Sequence, residues 1–179
     1  MEKKFYYNGM YILNEGDSAE TNVTNLVGMT RIKGRQNGAD ETAYFMKDAH
    51  GNAVKVLDSE DFLADYEYDI WGNQTQEATN IFDNPFRYCS EYMGEESGLI
   101  YLRARYYDPG TGRFTQEDPI KDGLNWYVYA GNNPIMFVDP SGEDAILITN
   151  QNAVGIEGVA TVGHTSALYQ DSNGNWYYT

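Results

Sequence analysis

Two Asp-Pro dipeptides, Asp118-Pro119 and Asp139-Pro140, bracket a stretch dense in glycine, asparagine and tyrosine, DPIKDGLNWYVYAGNNPIMFVDPSGED, residues 118–144. Hydrolysis of a peptide bond by carboxylates needs one ionised acid to activate water and one protonated acid to polarise or protonate the amide. Two carboxyls held close supply both, because they share a proton rather than both ionise. The breakers Gly123, Gly131 and Asn132-Asn133-Pro134 allow the segment to return on itself and bring Asp118 to Asp139. The plainer reading is a pair of turn devices, since proline forces extended geometry on the residue before it. Spacing alone leaves both readings open.

Other chemistry-bearing side chains are few. A single cysteine, Cys89, excludes an intrachain disulfide, and two distant histidines, His50 and His164, do not make a Cys/His zinc pattern. No metal and no cofactor is expected, and Cys89 reads as a small buried residue. Acidic residues outnumber basic ones 27 to 12, which repels phosphate backbones, so nucleic acid is not an expected partner. The opening MEKKFYYNGMYILNEGD has no apolar signal-peptide region, and no later run is long enough to span a membrane. Neither a signal peptide nor membrane insertion is therefore expected of this chain.

The elements that must position the aspartates read as strands. Sixteen tyrosines, 18 glycines and little leucine in 179 residues favour an all-β chain of one domain with an appendage. DAHGN at 48–52 returns as DIWGN at 69–73, and each D-x-x-G-N places glycine where a tight reversal needs positive φ. The intervening runs TAYFMK, NAVKVLD and DYEYDIW predict successive antiparallel hairpins, with Tyr66 and Tyr68 on one face. LIYLRARYYD, residues 99–108, predicts one continuous strand. Its Leu102, Ala104 and Tyr106 would lie on one face, and Tyr101, Arg103, Arg105 and Tyr107 on the other. Short helices are expected within residues 58–65 and from Asn125 onward.

The ordered series YEYDIWGN, NPFRYCSEYMGEESGLIYLRARYYDPGTGRFTQEDPI and NWYVYAGNNPIMFVDPSG resembles the YD-repeat (Rhs-repeat) family, in particular its Rhs repeat-associated core domain. The resemblance implies antiparallel hairpins curling as part of a hollow β-cocoon shell that encloses a variable C-terminal effector, as in bacterial polymorphic and Tc-type toxins. It implies that the core domain cuts its own chain as an aspartyl autoprotease. On that pattern Asp118 and Asp139 are the proteolytic pair, Arg113 of GRF is the arginine attending them, and the cut falls between Glu143 and Asp144. The family usually carries glycine where Lys121 stands, and Leu, Met or Trp where Glu143 stands.

The implied organisation is a truncated strand array over residues 1–85, the core domain over 86–143, and the incomplete start of a different toxin domain over 144–179. In that tail, GHTSALYQDSNGNWYYT reads as a strand, a turn and a second strand. His164 resembles the histidine of papain-like effectors and is the candidate effector base, with no cysteine after it. The implied partners are the chain's own C-terminal effector segment and an immunity protein for it, and the implied setting is secretion or cell-surface delivery within a larger toxin. Two functions stand: a shell segment that encapsulates cargo and cuts itself, or a catalytically inert structural or surface-interaction remnant.

Overall fold

Ala43 and Phe45 are buried while Tyr44 and Met46 are exposed, the period of two that a strand with one covered face imposes. In a computed structural model the described residues are 3–16, 21–28, 32–37, 41–59, 62–75, 82–121, 124–143, 146–147, 168–170 and 176–178. They fall into two compact units, Met1–Tyr68 with Gln74–Ser90, and Asp69–Asn73 with Glu91–Thr179.

The first unit is a seven-stranded antiparallel sheet whose spatial order follows the sequence: β1 (Lys4–Asn8), β2 (Tyr11–Gly16), β3 (Thr21–Val27), β4 (Ile32–Asn37), β5 (Glu41–Lys47), β6 (Ala53–Leu57) and β7 (Phe62–Asp65). Its covered face carries Ile12, Ile32, Ala43, Phe45, Val56 and Ala64. Within that face, Glu15 of β2, Asn25 of β3 and Arg35 of β4 are buried together. Arg35 pairs with Glu15 through Nη1 and with Asp83 through Nη2 at 2.9 Å, and Asn25 Nδ2 donates to Glu15 Oε1 at 3.1 Å. The buried charges are thus compensated, the condition under which such groups are tolerated inside a fold.

The two D-x-x-G-N segments are chain reversals of one design. Asn52 N and Nδ2 donate to the two carboxylate oxygens of Asp48 at 2.9 and 2.8 Å, and Asn73 does the same to Asp69 at the same distances. Gly51 and Gly72 take φ of 89° and 92°, which only glycine adopts without strain. Burial works to raise the Asp69 carboxyl, but hydrogen bonds from Asn73, Trp71 and Gly72 outweigh it and hold the group below the usual carboxylate range. The Tyr66 and Tyr68 rings stack at 6.5 Å, as their spacing predicts. Buried Cys89 lies with its Sγ 3.5 Å from His50 Nδ1.

The helical turn expected within residues 58–65 is instead strand β7. Val56 pairs with Ala64, which is fully buried, and this cross-strand packing overrides local propensity. Among the described residues from Asn125 onward only a short 3-10 helix forms, Ala130–Asn132, because Ala130, Gly131 and Asn132 all take positive φ, which an α-helix excludes.

In the second unit, β8 (Tyr92–Met93), β9 (Ile100–Leu102), β10 (Arg105–Asp108) and β11 (Arg113–Phe114) form a four-stranded antiparallel sheet in the order β11-β10-β9-β8. β12 (Phe137–Val138) pairs with β13 (Ile146–Leu147). The two strands expected in the tail are β14 (Leu168–Gln170) and β15 (Trp176–Tyr178), paired antiparallel. The continuous strand expected over residues 99–108 is broken at Arg103-Ala104, where the chain turns into a hairpin and Leu102 pairs with Arg105. A two-residue loop sets the residues on either side of it on the same face, so everything after the turn changes parity. Arg105 and Tyr107 consequently join Ile100 and Leu102 in the buried set, while Tyr106 is exposed.

Candidate functional site

Arg105 enters the interior as the first residue of β10, opposite buried Leu102, and its side chain is 3% exposed. A guanidinium that cannot reach water needs every donor met and its charge answered. Nη1 lies 3.7 Å from Asp118 Oδ2 and donates to the Trp126 carbonyl at 3.1 Å. Nη2 lies 3.6 Å from Asp139 Oδ2 and donates to the Glu143 carbonyl at 3.4 Å. Nε donates to the Gly142 carbonyl. The flat face rests on the Phe114 ring, 3.6 Å from its centroid, and Phe114 is wedged by Tyr107 and Tyr129, which stack on each other at 3.9 Å.

The structure therefore brings Asp118 and Asp139 to one place, across a shared arginine. No hydrogen bond joins the two carboxylates directly among the described residues. Each is oriented by its own Asp-Pro turn. Asp118 Oδ1 accepts from Ile120 N at 2.8 Å. Asp139 Oδ1 accepts from Gly142 N at 2.8 Å, Ser141 Oγ at 3.1 Å and Glu143 N at 3.2 Å. Both oxygens so engaged are Oδ1, which leaves each Oδ2 facing the guanidinium. Burial pushes the Asp139 carboxyl up to about 6, against the opposing pull of Arg105 and of the donors from Gly142, Ser141 and Glu143.

The arginine expected to attend the carboxylates, Arg113, pairs with neither. It is exposed on β11, opposite Asp108, and the cation in that place is Arg105. Sequence reading assigned Arg105 to a polar face because it carried the alternation of residues 99–108 through the Arg103-Ala104 turn. Arg103 and Ala104 are not the glycine or asparagine that announces a two-residue hairpin. Glu143 is exposed, with its backbone held by Asp139 and Arg105. Asp144 and His164 lie outside the described residues. Lys121 stands at φ 58°, a left-handed conformation that the glycine usual in the family takes without strain. Among the described residues no cluster of three or more His, Cys, Asp or Glu side chains is placed to hold a metal ion.

Gly142 locks the second Asp-Pro turn against the β9–β10 hairpin. At φ 72°, an added Cβ would fall on the Leu102 carbonyl oxygen and 2.9 Å from the Arg105 amide nitrogen. Gly142→Ala is expected to lower stability by about 1–3 kcal/mol, read as a shifted urea midpoint at unchanged slope. A native midpoint would mean that the turn does not rest on the hairpin.

No protein-family model matches the chain. The tRNA nuclease WapA of Bacillus subtilis is 35% identical over 167 residues, covering 86% of this chain and 7% of that protein. Salivary gland surface protein 1 of Aedes aegypti is 34% identical over 134 residues, covering 72% of this chain and 4% of that protein. The crystal structure of TcdB2-TccC3-Cdc42 matches with a TM-score of 0.58 at 28% identity, over 73% of this chain and 7% of that one. The likeness to the nuclease and to the toxin structure supports the Rhs-repeat resemblance. This chain spans less than a tenth of the length of each of these relatives.

Proposed function

We propose that this chain is a segment of an Rhs/YD-repeat toxin polypeptide that forms part of a shell around a C-terminal effector and cuts itself between Glu143 and Asp144 by an aspartyl mechanism. The observation that carries this reading is the Arg105 guanidinium set between Asp118 and Asp139, with one of its nitrogens on the Glu143 carbonyl. That carbonyl belongs to the bond to be cut. In the reaction, water loses a proton to the Asp118 carboxylate oxygen as its own oxygen attacks the Glu143 carbonyl carbon, and Arg105 supports the charge developing on the carbonyl oxygen. Asp139, whose buried carboxyl holds its proton to about pH 6, gives that proton to the Asp144 nitrogen as the bond breaks. The products are a Glu143 carboxylate and a free Asp144 amine. The released segment is the effector, an immunity protein is its partner in the producing cell, and the setting is a secreted or delivered toxin.

Intact mass of the purified chain over time tests this. Cleavage at Glu143-Asp144 is expected to quicken by about tenfold between pH 7.5 and pH 6, as the protonated fraction of Asp139 grows. A flat profile over that range removes Asp139 as the proton donor. The second reading, an inert structural or surface-interaction remnant, is favoured by the charged Glu143 where the family usually carries an apolar residue, and by the likeness to a surface protein. A chain that stays whole, and stays whole as Glu143→Leu, establishes that reading instead.

A further inference from the structure

We infer that the turn Arg103-Ala104-Arg105, braced by Glu91, is a ruler that holds four successive carbonyls after Asp139 and so positions the Glu143-Asp144 bond at the aspartates. The inference rests on the self-cleavage reading above. Arg103 Nη1 donates to the Pro140 carbonyl, Ala104 N donates to the Ser141 carbonyl at 3.1 Å, and Arg105 Nε donates to the Gly142 carbonyl. Arg105 Nη2 reaches the next, that of Glu143, at 3.4 Å. Three consecutive residues of the hairpin thus hold four consecutive carbonyls, in order.

Arg105 is explained by the aspartates it serves, but Arg103 touches neither of them. Its backbone takes φ of 62°, a conformation that is strained for a non-glycine residue and that glycine adopts freely. The side chain gives arginine its use at this position: it ends between Glu91 Oε2, at 2.8 Å, and the Pro140 carbonyl. Glu91 and Arg103 are 13% and 20% exposed, so water screens the pair only in part and Glu91 fixes the direction in which Arg103 donates. Arg103 and Glu91 are positioning residues. They hold the first of the four carbonyls, and with that end released the segment is held to the hairpin less firmly and the Glu143 carbonyl is less well aligned on Arg105.

Because glycine suits the Arg103 backbone, Arg103→Gly separates the turn from the side chain. The full chain is followed by intact mass in the native and the Glu143→Leu backgrounds, alongside thermal melting. Arg103→Gly is expected to keep the native melting temperature and to slow cleavage by about tenfold to a hundredfold. Arg103→Lys, which restores a donor and a charge, is expected to recover most of the rate. Should Arg103→Gly also melt lower, Glu91→Gln decides. It keeps an acceptor and loses the charge, so cleavage slows several-fold at unchanged melting temperature, and an unchanged rate overturns the ruler. If Arg103→Gly cuts at the native rate while Asp139→Asn stays whole, the inference fails and the aspartyl reading stands. If neither background cuts, or if Asp139→Asn still cuts, the reading fails and takes this inference with it.

Discussion

Asp139→Asn is expected to slow self-cleavage by about 10²- to 10⁴-fold while leaving the Asp-Pro turn in place. Asparagine keeps an Oδ1 that accepts from Ser141, Gly142 and Glu143, so the turn geometry survives, but it has no proton to give to the leaving amine. Asp118→Asn is expected to have an effect of the same order for the opposite reason, because the amide cannot take a proton from water. If the two residues are only turn aspartates, asparagine is nearly as good a turn former and neither the rate nor the product changes. The comparison is cleanest in the Glu143→Leu background, read by intact mass. Stability offers an independent reading of Asp139. Its folded carboxyl holds a proton to about pH 6, above the unfolded value, so the group is most favourable to folding below about pH 4. That contribution is lost as pH rises toward 6, by roughly 3 kcal/mol in all. Asp139→Asn should flatten the stability profile across that window, and an unaltered profile would mean that the carboxyl is not buried as described.

Much of this arrangement was legible in the sequence wherever a residue acts on its immediate neighbours. The D-x-x-G-N reversals need one side chain, one glycine and one asparagine within five positions, and both formed as expected. The return of residues 118–139, which brings Asp118 to Asp139, was signalled by its breakers. Features fixed by distant contacts were not legible. The Arg103-Ala104 turn has no local turn chemistry and is held by Glu91, Pro140 and Ser141, residues 12 to 37 positions away. Missing it reversed the face of everything that followed and put Arg105 on the wrong side, so nothing in the residues challenged Arg113, the arginine that the family resemblance implied. One further signal was available. An arginine amid LIYLRARYYD, on a stretch otherwise rich in apolar and aromatic residues, calls for a buried counter-charge, which the two Asp-Pro aspartates supply.

Arg105→Met should be the most damaging single change. Methionine fills similar space over Phe114 but leaves the carboxylates of Asp118 and Asp139 in the interior without their counter-charge, which costs about 3–5 kcal/mol. It also strands the carbonyls of Gly142, Trp126 and Glu143. A fall in melting temperature on the order of 10 °C or more is expected at pH 7.5, with no detectable self-cleavage. The loss should be pH dependent, with a fixed sign. Arg105 is what pulls the Asp139 carboxyl down against burial, so without it the group rises further and protonates more readily. The deficit is then largest at pH 7.5 and shrinks toward pH 5, where the proton replaces the missing cation. Arg105→Lys restores a charge but not a fork able to meet two carboxylates and three carbonyls, so it is expected to regain part of the stability and little of the activity. Arg105→Met combined with Asp139→Asn removes one of the stranded charges and should melt higher than Arg105→Met alone, a coupling that a thermodynamic cycle measures directly. It should still fail to cut. An Arg105→Met chain that melts within a few degrees of native at pH 7.5 would mean that the guanidinium does not sit between the aspartates, and the proposed cleavage would lose the group that joins its acid, its base and its carbonyl.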